Sequence, residues 1–371
     1  MIIGTVKEIL NHEYRVGITP AATAAYVKKG HQVLVQKTAG MGAAFTDDEY
    51  IEAGAKIVDT AKEVYENSQM VIKVKQPLEE EFKYLRKDLI LYTYLHLAAH
   101  KDLTEALLES QTTAIAFETI EDKQGGFPCL RPMSEIAGRL SIQEGAKFLE
   151  RPCGGRGILL SGAVGVDRGK IVIIGGGIAG TYAAKVAIGI GAQVTILDIS
   201  VNRLSYLEDL FGSAVETLYS DEDNIIKNIK EADLVVGAVL VPGANPPKVL
   251  RREHLKYMKQ GAVIVDIAID QGGCFETSHV TTHDDPIYTI DGIVHYCVGN
   301  MPGAVPRTST IALSNATLPY GLKIATLGVE QAIKQDPLLA KGLNTYKGCC
   351  VYENVGKSLG IEYNSLSEVF R

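Results

Sequence analysis

The sequence predicts an α/β protein made of two doubly wound parallel-sheet domains. Three observations carry that prediction. Short apolar runs alternate with helical spacings of apolar residues along most of the chain. A strand, glycine turn, helix and second strand follow one another across residues 170–198. The length of 371 residues exceeds the rough 100–200 residues of a single domain.

The 170–198 stretch is the most informative. A run of four apolar residues, 171–174, leads into Gly175-Gly176-Gly177-Ile178-Ala179-Gly180, which fits G-x-G-x-x-G. An Ala-rich helix follows, then a strand over 193–197 that delivers Asp198. Gly175 suits a sharp turn, Gly177 a close approach of backbone to a pyrophosphate, and Gly180 tight helix–strand packing. The helix start offers unpaired N–H groups and a positive dipole end to phosphates. Asp198 stands where both ribose hydroxyls would be bound, and it would repel a 2′-phosphate. The expected cofactor is therefore NAD, and this domain is expected to be of Rossmann type, with a cleft between it and its neighbour. The alternative is a tight strand-to-helix turn that binds nothing.

Composition excludes several function classes. With 46% hydrophobic and 22% charged residues, the chain has the balance of a globular protein with a large core. A formal charge of −7 gives no reason to expect nucleic acid or an anionic membrane as partner. No apolar run reaches the roughly 18 residues of a spanning helix, and no signal peptide is visible, so a cytoplasmic location is expected. The six cysteines (129, 153, 274, 297, 349 and 350) form no C-x-x-C and no zinc spacing.

In order, strands are expected over 2–6, 31–36, 55–58, 70–74, 89–95 and 113–117. Between them, Thr19-Pro20 starts a helix that Gly30 ends, Thr46 and Glu49 form a capping box, and 62–67 and 103–109 are helical. A long helix over 134–150 lies between the two sheets in sequence. Residues 151–169 are Gly-rich and read as a loop. The nucleotide domain continues with strands over 214–218, 234–238, 262–267 and 293–298, and with a helix over 221–230 capped by Ser220. A helical pattern runs from Thr308 to about Gln335, with Thr308 and Ser309 as caps, followed by shorter helices over 341–350 and 353–359. These C-terminal helices lack a sheet of their own. They are expected to return to the first domain, giving a discontinuous domain of residues 1–127 plus 307–371 and a nucleotide domain of 128–306.

Ligands of open parallel sheets sit at the carboxyl ends of strands, which selects a few polar residues. Lys75 ends VIKVK and reads either as a solvated edge charge or as a partner for a carboxylate or carbonyl oxygen. His96 ends LILYTYLH, as a hydrogen-bonded structural residue or as a proton carrier. Arg15 is either a surface cation or a two-pronged carboxylate ligand. Asp270, before Gln271-Gly272-Gly273, is either a turn former or a group facing the nicotinamide; Asp266, further back, reads as structural. Residues 299–303 could cover the nicotinamide or act as a hinge.

Along nearly its whole length the chain resembles the alanine dehydrogenase/transhydrogenase family. The matching stretches are VKEILNHEYRVGITP, VIKVKQP, LHLAAH, RPMSEIAGRLSIQEGAKFLE, VIIGGGIAG, VDIAIDQGG and HYCVGNMPGAVPRTSTIALSNATLPY. The resemblance implies interconversion of L-alanine and pyruvate with NAD, an oxidoreductase role in amino-acid catabolism. It matches Arg15 and Lys75 to substrate-binding residues and His96 and Asp270 to a catalytic acid/base pair. The cofactor-contacting set it implies is Ser134, Gly175, Gly177, Ile178, Ala179, Gly180, Asp198, Arg203, Ser220, Val239, Leu240, Ile267, Ala268, Ile269, Asp270, Val298, Gly299, Asn300 and Met301. Small molecules (L-alanine, pyruvate, ammonium) are the implied partners, with a homo-oligomer, commonly a homohexamer in similar proteins. Two departures stand out. His279 falls where a more basic contact to the cofactor would be expected. Lys323 and Leu327 lack the acid-plus-histidine pair that would hold a divalent ion, so no metal is expected.

The mechanism so implied has Arg15 holding alanine's carboxylate while hydride leaves Cα for the nicotinamide. Water adds to the resulting iminium, and the carbinolamine expels ammonia through a His96/Asp270 proton relay, with Lys75 polarising the carbonyl oxygen. Alternatives are the soluble NAD(H)-binding subunit of a proton-translocating transhydrogenase, a saccharopine or lysine dehydrogenase relative, and an NAD-binding sensor without catalysis.

Overall fold

The computed structural model describes residues 1–239 and 246–370; Leu240, expected at the cofactor, lies outside the described residues. The chain divides into two compact units, Met1–Met133 with Gly303–Arg371, and Ser134–Pro302. No described helix is long and apolar enough to cross a membrane.

Among the described residues the first unit carries an eight-stranded sheet. Its order is Cys349–Cys350, Leu343–Tyr346, Thr113–Ala116, Ile90–Thr93, Met70–Ile72, Ile2–Thr5, Gln32–Gln36, Lys56–Val58. The six strands from Thr113–Ala116 onward are parallel, and their register keeps Thr5, Ile72, Tyr92 and Ile115 level. Central strands are buried on both faces, as the continuous apolar runs require. The sheet's direction of winding reverses between Ile2–Thr5 and Met70–Ile72, which makes their carboxyl ends a ligand position. Helix Pro20–Lys28 is capped by Thr19, and helices Asp47–Glu52 and Ala61–Asn67 by full capping boxes.

The second unit's sheet runs Ile287–Ile290, Ile293–Tyr296, Val263–Asp266, Leu234–Gly237, Lys170–Ile174, Gln193–Asp198, Glu216–Tyr219. Apart from the antiparallel edge strand Ile287–Ile290, all are parallel, in the 3-2-1-4-5-6 order of dinucleotide-binding sheets. The core of this unit packs Val172, Ile174, Leu197, Val235, Ile264 and Phe275 with the flanking helices.

Several expectations need correction. Residues 341–350 form a hairpin rather than a helix. Lys347 and Gly348 both have positive φ (49° and 84°), the conformation of a two-residue turn matched to strand twist, and Leu-Asn-Thr-Tyr before it fits a pleated surface. This hairpin joins the first sheet antiparallel to Thr113–Ala116, so the C-terminal segment is not purely helical. The long C-terminal helix is two, Pro306–Leu327 and Val329–Gln335. Gly328 separates them at φ 76°, ψ 162°. Neither Thr308 nor Ser309 is its cap, because the helix begins at Pro306, after Val305. Helix Glu222–Ile229 is capped by Asp221, whose carboxylate accepts from Asn224 N–H, not by Ser220. A helix over Val201–Phe211, capped by Ser200, adds to the reading.

Candidate functional site

In the second unit the glycine loop leaves strand Lys170–Ile174 and enters helix Ile178–Gly189. Gly175 sits at φ 104°, and a Cβ on it would come 2.6 Å from the Ala238 carbonyl oxygen. A Cβ on Gly180 would lie 1.9 Å from the Gly175 oxygen, so only glycine lets the helix start this close to its strand. Gly177, by contrast, faces open space. The loop thus fits a group that approaches backbone N–H donors closely, as a pyrophosphate does. Asp198 ends the next strand. Its carboxylate accepts from Gly176 N–H (2.7 Å) and Ser200 N–H (2.8 Å). The Arg203 guanidinium donates to the Gly176 oxygen (2.5 Å) and to Thr181 Oγ1 (2.5 Å). Both charged groups therefore shape the loop itself.

The remaining candidates follow the ends of adjacent parallel strands. Ser220 follows Tyr219, which is level with Asp198; Val239 follows Gly237, level with Ile174 and Asp266. Ile267, Ala268, Ile269 and Asp270 form a 3-10 turn capped by the buried Asp266, which accepts from Ala268, Cys274 and Phe275 N–H. Burial pushes the Asp266 carboxyl above its usual range; its structural reading holds. Asp270 is exposed and accepts from Asn300 N–H at 3.0 Å, which ties that turn to the Gly299–Asn300 loop, where Asn300 has φ 58°. Val298, Ala268, Ile269 and Met301 are buried. Ser134 lies in the first turns of helix Arg131–Phe148. His279 stacks on Tyr288 at 3.6 Å between ring centroids.

The first unit gathers its own group. Arg15 is 2% exposed, so the surface-cation reading fails. Its guanidinium is gripped by Glu13 (Nε to Oε1 2.7 Å, Nη2 to Oε2 2.5 Å), and Nη1 donates to Met133 Sδ at 3.1 Å. Burial would lower its pKa, but Glu13 more than offsets that and pushes it up. Gly17 brings this loop onto the sheet: a Cβ there would meet the Ile72 oxygen at 2.4 Å. Helix Pro306–Leu327 steadies the loop as well, since Thr310 Oγ1 accepts from Val16 N–H. Lys75 lies three residues past strand Met70–Ile72 and is half-buried. His96, three past Ile90–Thr93, sits at φ 49° with an exposed ring stacked on Tyr94. Its N–H donates to Glu118 Oε1 at 2.6 Å, and its Nδ1 lies 4.0 Å from that oxygen. Burial lowers the His100 pKa, and the neighbouring His96 and Lys75 lower it further.

Sequence reasoning missed the charged residues behind this group. Glu8, Lys73 and Glu81 are buried in one network. Lys73 Nζ lies 3.1 Å from Glu8 Oε2 and 2.9 Å from Glu81 Oε1, and Tyr65 O–H donates to the same Glu81 oxygen. The signal was Lys73 inside the apolar run of residues 70–74, since a buried charge must be paired. As for metals, among the described residues Glu222, Glu253 and His254 could converge on a cation. Arg251 already pairs with both glutamates, and Lys323 pairs with Asp336 at 2.5 Å.

Fold and loop together define a two-unit α/β dinucleotide-binding protein. Two family models match in succession, the alanine dehydrogenase/PNT N-terminal domain over residues 4–137 and its C-terminal domain over 141–353. The chain belongs to the alanine dehydrogenase/PNT family. It is 54% identical to an alanine dehydrogenase of Methanococcus maripaludis over 98% of both chains. A solved L-alanine dehydrogenase matches with TM-score 0.95 and 52% identity, covering 97% of this chain and 99% of that one. A transhydrogenase from Sinorhizobium meliloti shares the fold at TM-score 0.82 and 20% identity, over 95% of this chain and 99% of that one.

Proposed function

We infer that the chain catalyses the NAD-dependent, reversible oxidative deamination of L-alanine to pyruvate and ammonia. The observation that carries this reading is kinship over the full length of both chains, at 54% identity, with an alanine dehydrogenase. The transhydrogenase likeness, at 20% identity, extends to the fold alone.

The glycine loop and Asp198 hold NAD, whose nicotinamide takes up hydride in deamination and returns it in amination. The other cofactor contacts come from Ser134, Arg203, Ser220, Val239, the 267–270 turn and residues 298–301. Arg15, kept rigid by Glu13, binds the substrate carboxylate through two parallel hydrogen bonds. As hydride leaves Cα, the amine lone pair closes a C=N bond. Water adds to that carbon and gives a proton to His96, which passes it to the departing nitrogen. The carbinolamine O–H then gives its proton to the freed His96 as the C–N bond breaks, leaving pyruvate and ammonia. Asp270 completes the relay, and the Lys75 ammonium stabilises the developing oxygen charge. Exposed Leu159, Val164 and Val166 support assembly as a homo-oligomer, with the hexamer as the expected form; sedimentation would measure it.

Absorbance at the NADH band tests the reaction. NADH should be consumed when pyruvate and ammonium are both present and not when either is omitted. Consumption with pyruvate alone would mean ordinary 2-oxo-acid reduction and would overturn the assignment.

A further inference from the structure

We propose that Glu8 is a positioning residue, fixing Lys75 at the carboxyl edge of the first sheet through the Lys75 peptide. The proposal rests on the reading of Lys75 as a substrate ligand.

Strands Ile2–Thr5 and Met70–Ile72 are parallel neighbours, and their ladder stops at the pair Thr5 and Ile72. Glu8 and Lys75 each lie three residues further on, at the point where the sheet reverses its winding. Past the ladder, the Glu8 carboxylate takes over as acceptor. Its Oε1 receives the N–H of Val74 at 2.6 Å and that of Lys75 at 3.3 Å. From the other side Thr93 Oγ1 donates to the Lys75 carbonyl at 3.0 Å. Both ends of the Lys75 residue are thus set by side chains of the two flanking strands.

Lys73 holds the Glu8 carboxylate from the side away from these peptides. Glu8 is 6% exposed, and burial pushes its pKa above the usual carboxylate value, with Lys73 pulling against that. Lys73 bridges Glu8 to Glu81, and Glu81 Oε2 accepts from Leu78 N–H at 3.1 Å. The segment from Lys73 to Leu78 is clamped at its start by Glu8 and at its end by Glu81, with Lys75 in between. A purely structural ion pair would not need its second oxygen on the peptide N–H groups of Val74 and Lys75.

A double-mutant cycle in the full-length protein tests this. Glu8→Gln alone should lower kcat/KM for pyruvate about tenfold or more while NADH binding, followed by fluorescence, stays at the parent value. Introduced into Lys75→Ala, the same change should cost less than about twofold, because its target is gone. A full tenfold cost in the Lys75→Ala background would overturn the proposal, showing that Glu8 acts independently of Lys75. Parent-like kinetics for Lys75→Ala alone would instead sink the reading of Lys75, and the proposal with it. If Glu8→Gln does not fold, Glu8→Asp keeps the charge opposite Lys73 and withdraws the acceptor by one methylene. It should lower kcat/KM in the same direction, and a folded Glu8→Asp with parent kinetics would overturn the proposal.

Discussion

The two strand-end edges of this molecule share a strand order and differ in how they are built. In the first unit, the edge is made of side-chain charges: Arg15 against Glu13, and Lys73 between Glu8 and Glu81, all buried. In the second unit it is made of backbone: a glycine loop whose donors are free of side-chain bulk, with Asp198 and Arg203 holding that loop from the rim. In the proposed reaction a small substrate with a carboxylate offers few atoms to grip, so fixed charges would do the recognising. A dinucleotide offers a pyrophosphate and two riboses, and aligned peptide N–H groups suffice. The first edge should therefore fail through charge and the second through shape.

The largest effect should come from the proton carrier. His96→Ala is expected to reduce turnover by roughly 10²–10⁴-fold with NADH affinity unchanged, measured by steady-state kinetics beside fluorescence titration. Turnover near that of the parent would remove His96 from the mechanism. Next comes charge balance. Lys73→Met strands two buried carboxylates, a loss on the order of 3–5 kcal/mol when one partner of a buried pair is removed. Urea unfolding at neutral pH should show it, and acidification should recover part of it as the buried Glu8 takes up a proton. A variant as stable as the parent at neutral pH would mean that the network carries little of the fold's stability.

These two residues also mark what the sequence made legible. His96 and Lys75 could be selected because strand ends are where ligands sit in parallel sheets, and the glycine loop because its spacing has a mechanical cause. Lys73 and Glu8 were passed over because a charge beside a strand end reads first as solvated. Only the fold shows that Glu81, eight residues on, returns to meet Lys73. The 341–350 hairpin was missed for a related reason. Its first strand, Leu343–Tyr346, is too short to separate helix from strand, and Lys347 in a left-handed conformation is unusual for a residue with a side chain. The split at Gly328 was visible as a glycine, but the helical spacing on both sides masked it.

Shape, the second edge's weakness, predicts a different response. Gly180→Ala puts a methyl group 1.9 Å from the Gly175 oxygen, so helix and strand must separate. NADH affinity should fall, with a stability loss of about 1–3 kcal/mol for the strain imposed. This loss should be the same at pH 6 and pH 8, since no titrating group is touched. A loss that differed between the two pH values would show that the loop's packing is coupled to a titrating group.

The smallest effect separates the units by the origin of two histidine shifts. His295 is fully buried in the second unit, bonded to the Ile293 oxygen and Thr277 Oγ1, and burial lowers its pKa. His100 in the first unit is lowered by burial and then by His96 and Lys75. A lowered histidine pKa means that the unfolded chain binds the proton more readily. Each residue therefore leaves stability untouched above the unfolded value of about 6.5 and reduces it as pH falls toward the folded value. His295→Gln should flatten the acid limb of the unfolding free energy below about pH 6.5, by at most about 1.4 kcal/mol per pH unit, the limit for one proton. Lys75→Ala should relieve part of the acid sensitivity carried by His100 and leave that of His295 unchanged. Urea midpoints measured across that pH range decide the matter. If Lys75→Ala flattens nothing, Lys75 does not set His100's titration, and its part in the electrostatic contrast between the two edges falls away.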